Sequence, residues 1–166
     1  WAAKEDIIYP PHLSMEQCSS EQTAEYKARL VARLVGVENF ASSDLNNDCS
    51  RPSAGEETTP TQQDNHVQNS YEGSFCDLTG GFGVDFSFIA RSFKRAIYVE
   101  QQAKLCELVR HNFHALGLTQ AEVVNTDGTA YLHQLDHVSV LFLDPARRNE
   151  QGGKTVLISD CTPDVL

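Results

Sequence analysis

Four acidic residues, Asp77, Glu100, Asp127 and Asp144, each close or follow a short apolar run, and Gly80, Gly81 and Gly83 stand just behind the first of them. Carboxylates in such places can accept hydrogen bonds from hydroxyl and amino groups, or offset a positive charge. The stretch DLTGGFGVDF, residues 77 to 86, concentrates three of the ten glycines and two carboxylates, Asp77 and Asp85. A ligand lying over the carboxyl edge of a parallel sheet touches backbone at such a bend, where a Cβ would hold it away or forbid the turn.

The spacing narrows the ligand. A dinucleotide fingerprint, G-x-G-x-x-G or A, needs a small residue where Phe86 stands when counted from Gly81. The pattern here is D-x-x-x-G-x-G, as Asp77, Gly81 and Gly83. A pyrophosphate at a helix N-terminus gains from bare N–H groups and nothing from neighbouring carboxylates. S-adenosylmethionine has no phosphate and carries an ammonium and a sulfonium, so acids and carbonyls suit its amino-acid end. Glu100 lies 17 residues past Gly83, where a carboxylate can accept from both ribose hydroxyls. Asp127 stands where an adenine amino group would need an acceptor. Plainer readings stay open for each: a simple strand–helix bend, a solvated strand end at Glu100, a helix N-cap at Asp127. Asp85 reads as an ordinary first-turn helix acid.

The elements that must position these residues follow from periodicity. GSFCDLT (73–79), AIYVE (96–100), AEVVN (121–125) and VSVLFL (138–143) read as strands. Residues 84–94 and 101–116 read as helices, the second with Leu105, Leu108, Val109, Phe113 and Leu116 on one side and Gly117 as its stop. A short helical stretch runs from Asp127 to about Leu135. Strand–helix alternation with runs this apolar indicates an α/β fold, a parallel sheet with helices on both faces. Upstream, 1–36 begins with an extended Pro-Pro element and continues as one docking helix. Ser19 and Gln22 suggest a capping box, Ala24, Ala28, Leu30, Val31, Leu34 and Val35 supply an apolar stripe, and Gly36 is the stop. Residues 37–70 form a polar insertion or linker: 41–70 have no aromatic residue and only Leu45 and Val67 as large aliphatics. The sheet domain occupies 71–166.

The chain has 166 residues, the length of one domain, and opening on Trp1 suggests a fragment. Its net charge is −10, with 5 basic against 11 acidic residues in 1–71 and 8 against 12 in 72–166. That balance is poor for a stand-alone nucleic-acid binder, so a polyanionic substrate would need a local basic patch. Cys18, Cys49, Cys76, Cys106 and Cys161 form no C-x-x-C pair and read as reduced thiols of a cytoplasmic protein. His111 with His114, and His133 with His137, have helix-face spacing but no accompanying H-E-x-x-H or cysteine cluster, so no metal site is expected. No run approaches 18 consecutive apolar residues, and no membrane span is expected.

With these residues in place, 72–144 resembles a class I S-adenosylmethionine-dependent methyltransferase: DLTGGFGVDF is similar to the first motif, YVE to the second, NTDG to the third and DPAR to the fourth. A closer likeness takes in 1–30 and 72–166, through YPPHLSMEQCSSEQTAEYK and LDPARRNEQGGKTVLISDCTPDV. It is to bacterial class I methyltransferases that continue into a C-terminal THUMP-like domain. The resemblance implies a Rossmann-like three-layer sandwich, here its first four strands, preceded by an N-terminal helical segment. It implies methyl transfer from S-adenosylmethionine, with RNA as the acceptor and a base as the target, because THUMP modules accompany RNA-modifying enzymes. By position it carries Asp77, Thr79, Gly80, Gly81 and Gly83 to the methionine end, Glu100 to the ribose and Asp127 to the adenine. Asp144 and Pro145 would face the acceptor.

Methyl transfer is a displacement in line at carbon, so the protein's task is to orient donor and acceptor and, where needed, take a proton. Amine methyltransferases of this fold use (D/N)-P-P-(Y/F); here Ala146 and Arg147 replace the second proline and the aromatic residue. Arg147 and Arg148 offer forked donors for a phosphate, with plain surface charge as the alternative. LDPAR also occurs in RNA uracil-C5 methyltransferases, which attack the ring with a cysteine, and Cys161 in ISDCTP sits in a similar setting. Eleven residues separate Leu143 from Thr155, short for a parallel crossover, which favours a structural thiol. Two further classes remain: a non-catalytic scaffold that kept the fold, and another user of it, such as a nicotinamide oxidoreductase or an aminopropyl transferase. A chain ending at Leu166 would leave an apolar edge on the fourth strand and a route to self-association.

Overall fold

The computed structural model describes residues 1, 4, 6–10, 18–37 and 70–145. Residues 38–69 of the expected insertion, the second half of the DPARR motif with Arg147 and Arg148, and Cys161 lie outside the described residues.

Helix α1 (Glu21–Leu34) is capped by Ser20, whose Oγ accepts from Thr23 N at 3.2 Å. The cap is one residue later than the sequence suggests, because Ser19 is engaged elsewhere: its hydroxyl donates to Asp85 at 2.8 Å. Ala24, Ala28 and Ala32 are the buried face, small enough to let the helix approach closely, whereas Leu30 and Leu34 of the expected stripe are exposed. At the far end Gly36 N donates to Arg33 O and Val37 N to Ala32 O, with Gly36 at φ 74°: a Schellman stop of the kind a glycine permits.

Strand β1 (Tyr71–Asp77) leads through the glycine bend into α2 (Val84–Ile89) and a 3-10 turn over Ala90–Ser92. Strand β2 (Phe93–Glu100) follows, then α3 (Ala103–Ala115), β3 (Ala121–Asn125), α4 (Gly128–Leu132) and β4 (Val140–Phe142). The second helix is therefore shorter than the expected 84–94, and β2 starts three residues earlier than AIYVE. Phe93 accounts for the difference: it pairs with Tyr71 of β1, its ring stacks on Phe75 at 5.4 Å, and it is almost fully buried.

All strand pairings are parallel, in the order β3-β2-β1-β4. Side chains alternate across the sheet. Phe75, Ala96 and Tyr98 face one layer, where Ala28 of α1, Phe86 and Ile89 of α2, and Val109 and Phe113 of α3 complete the larger core. Cys76, Ile97 and Val99, with Leu78, face the other, where Tyr131 of α4 with Leu135 and Val138 cover a smaller one. Helix α3 ends like α1, with Leu118 N on Phe113 O and Gly117 at φ 72°. Chain order reverses between β1 and β4. In open α/β sheets ligands sit at such a switch point, beyond the carboxyl ends of the strands.

Candidate active site

The strand order sets the four acids along one rim: Asp127 after β3, Glu100 at the end of β2, Asp77 at the end of β1 and Asp144 just past β4. The glycine bend lies over the middle of that row and is bonded to both sides of it.

Thr79 N and Thr79 Oγ1 donate to Asp77 Oδ1 at 2.9 and 3.2 Å, and Gly80 N donates to Val99 O at 3.0 Å. Gly81 is held at both ends of its peptide: its N–H donates to Glu100 Oε2 at 3.0 Å, and the Tyr98 hydroxyl donates to its carbonyl. The three glycines are needed for different reasons. A Cβ on Gly80 would lie 2.2 Å from the Tyr98 ring, and one on Gly83 would lie 2.8 Å from Phe113. Gly81 and Gly83 also have φ of 53° and 79°, in the left-handed region. At Gly80 and Gly83 the protein's own core already excludes a side chain.

Glu100 is 9% exposed and both its oxygens are engaged, Oε2 by Gly81 N and Oε1 by Gln102 N at 2.8 Å. A carboxylate has about four acceptor positions, so each oxygen keeps capacity for one more donor. Its main-chain carbonyl is fixed too, accepting from Asn125 Nδ2 at 2.9 Å and Cys106 Sγ at 3.2 Å. Asp127 is the N-cap of α4, with Oδ1 accepting from Ala130 N at 2.9 Å, and is exposed at the β3 end of the rim. Gly128 behind it packs on Leu78, whose carbonyl would be 2.3 Å from a Cβ.

Asp77 is buried beneath the bend, and that burial pushes its carboxyl up to about 7. The Thr79 bonds hold it down in part; the negative charges of Asp85 and Asp144 add to the rise. Tyr98 is also shifted upward, by burial and by the nearby Glu100 and Asp77, which keeps its hydroxyl a donor. Asp144 N donates to Thr79 Oγ1 at 2.8 Å, so one threonine joins the bend to the loop after β4.

Two residues of this network escape a reading of the sequence. Tyr98 looks like any apolar strand position. Lys27 of α1 reaches the rim across the fold, 2.8 Å from Asp85 Oδ2 and 3.3 Å from Asp144 Oδ2, with Ser19 Oγ at 3.1 Å. One signal was present: Lys27 falls three residues after Ala24 and four before Val31, on the apolar side of its helix. Asp85, expected as a plain first-turn acid, does occupy the first turn of α2, but as the partner of Lys27 and Ser19. Its Oδ1 is buried with no hydrogen-bond partner among the described residues.

Of the expected site residues, Asp77, Thr79, Gly80, Gly81, Gly83, Glu100 and Asp144 are joined by direct contacts through the bend, with Pro145 next in the chain, and Asp127 stands apart at the rim's end. Among the described residues no group of three or more His, Cys, Asp or Glu side chains is placed to hold a metal ion. His111 bonds the Asp6 carbonyl. No described helix is long and apolar enough to cross a membrane.

Residues 54–158 match the model of a family described as conserved hypothetical protein 95. No curated protein matches the chain. Among solved structures, a "putative methyltransferase from Porphyromonas gingivalis W83" is similar over 100% of this chain and 32% of its own, with 24% identity and a TM-score of 0.63. A "putative O-methyltransferase from Klebsiella pneumoniae" is similar over 83% of this chain and 47% of its own, with 13% identity and a TM-score of 0.51. The chain thus spans about a third of the first and under half of the second. At these identities the likeness is one of fold: the sheet and its helices are those of a Rossmann-like methyltransferase.

Proposed function

From the premise that this chain belongs to the conserved hypothetical protein 95 family, we propose that it is a class I methyltransferase that uses S-adenosylmethionine and acts on an RNA base. The observation that carries the proposal is the Glu100 clasp, in which one carboxylate ties the glycine bend to the start of the next helix and keeps acceptor capacity at the rim. Two ribose hydroxyls need such an acceptor pair. The acceptors at the rim fit the rest of the cofactor: acids and carbonyls suit a cationic amino-acid end, and among the described residues the bend carries no cluster of cations for a phosphate.

In this reading Asp77, Thr79, Gly80, Gly81 and Gly83 hold the methionine end, Glu100 the ribose and Asp127 the adenine, with Asp144 and Pro145 turned to the acceptor. The cofactor, when bound, supplies a methyl group activated by its sulfonium. The chain's residues orient the partners and screen them from water. Asp144, its backbone pinned by Thr79, accepts a hydrogen bond from the acceptor's amino group. RNA is supported by the likeness to bacterial enzymes that carry a THUMP-like domain, and by the adjacent Arg147 and Arg148, two forked phosphate donors in an otherwise acidic chain. A cytoplasmic setting belongs to the same reading.

The test is transfer of tritium from methyl-labelled S-adenosylmethionine to RNA from cells lacking the gene. Label in that RNA, absent with RNA from wild-type cells, is expected. Label only in protein or small molecules would refute the RNA acceptor, and no label at all would refute the activity.

A further inference from the structure

Lys27 belongs to α1, outside the strand–helix run that carries the rim acids, yet its ammonium is spent on that rim. An ammonium has three hydrogens, and three acceptors are in place: Asp85 Oδ2 at 2.8 Å, Ser19 Oγ at 3.1 Å and Asp144 Oδ2 at 3.3 Å. The side chain is three-quarters buried, and the ammonium lies 5.4 Å from the centre of the Phe142 ring. Arg29 and Glu25, a solvent-exposed pair one turn apart on the same helix, are the contrasting case, worth little. Lys27 instead joins residues 58 and 117 positions away.

The two aspartates are not equivalent. Asp85 is largely buried and, with Ser19, fixes the ammonium; Asp144 is 53% exposed and meets a donor already immobilised. Ordering a free lysine against an exposed carboxylate costs rotamer entropy, but here that ordering is done by the buried pair. Asp144 is then restrained from two directions, its N–H by Thr79 and its carboxylate by Lys27. Lys27 stays charged: burial, which alone would lower its pKa, is outweighed by the hydrogen bond and charge of Asp85 and by Asp144, and the net shift is upward.

We infer that Lys27 is a positioning residue for Asp144, orienting the carboxylate that faces the acceptor and making α1 part of the active site. The inference rests on the methyltransferase reading above. Its test uses the full chain with Lys27→Gln, Lys27→Arg and, as a remote surface control, Lys94→Met. Lys27→Gln is expected to lower kcat for RNA methylation about 10²-fold, the scale of a small misplacement of a reacting group, with KM for RNA and the calorimetric affinity for S-adenosylmethionine unchanged. Lys27→Arg recovers most of the rate, Lys94→Met loses none, and a crystal of Lys27→Gln shows the Asp144 carboxylate turned away while its N–H stays on Thr79. The inference is overturned if that carboxylate keeps its place, if cofactor affinity falls in step with kcat, or if arginine restores nothing. Failure of the wild-type protein to bind the cofactor would instead sink the methyltransferase reading, and the Asp144 orientation in the Lys27→Gln crystal would still decide for or against Lys27.

Discussion

Asp77 sits under the glycine bend with its carboxyl raised to about 7, a consequence of burial first and of Asp85 and Asp144 second. A carboxyl whose folded pKa lies above its unfolded one binds more protons in the native state between the two values. The contribution of Asp77 to stability is therefore fully present at or below the ordinary carboxylate range and is lost as pH rises through it toward 7. Chemical denaturation across pH 4 to 8 is expected to show this decline, on the order of a few kcal/mol, and Asp77→Asn to flatten it. A wild-type profile that rises over that interval, or a variant with the same slope, would contradict the assignment. The acids were readable in the sequence because each closes an apolar run. Asp77's burial and the reach of Lys27 were not, since both depend on segments far apart in the chain meeting at one rim.

At the scale of elements, the glycines separate backbone strain from packing. Gly36 and Gly83 share a left-handed φ, 74° and 79°, but a Cβ on Gly36 meets nothing within 4 Å whereas one on Gly83 meets Phe113 at 2.8 Å. That ring cannot easily yield, because it stacks on Phe86 at 4.9 Å and meets Tyr98 edge-on at 5.4 Å. Gly36→Ala should cost about 1 kcal/mol of strain, and Gly83→Ala roughly 1–3 kcal/mol more from overpacking, read as shifts in the urea midpoint. Equal costs would mean that Phe113 moves aside. The four strands were legible as apolar runs, and the glycine stops of α1 and α3 as punctuation. The start of β2 was not, because the expected helix ran on to Lys94 and the strand was expected only from Ala96. Lys94 and Arg95 are paired across strands, with Glu72 of β1 and Glu122 of β3.

At the scale of the whole chain, a net charge of −10 sets the terms on which the proposed RNA acceptor would bind. If Arg147 and Arg148 are the phosphate contacts, the salt dependence must be shallow, a log–log slope of about −1.4 for two contacts with a single strand. Replacing both arginines by alanine should bring that slope close to zero; a steep slope that survives the replacement would place the RNA elsewhere. The proposed function rests on one physical claim, that Glu100 would receive the sugar of a cationic nucleoside cofactor at the rim. Calorimetric titration of the wild-type chain and of Glu100→Ala with S-adenosylmethionine, and with NADH as the competing ligand, tests it most directly. Hydrogen bonds to a charged group are worth about 1.5–3 kcal/mol, so the account predicts binding of S-adenosylmethionine but not NADH, weakened roughly 10- to 100-fold in the variant. Binding that is unaffected by Glu100→Ala, or a preference for NADH, would contradict it.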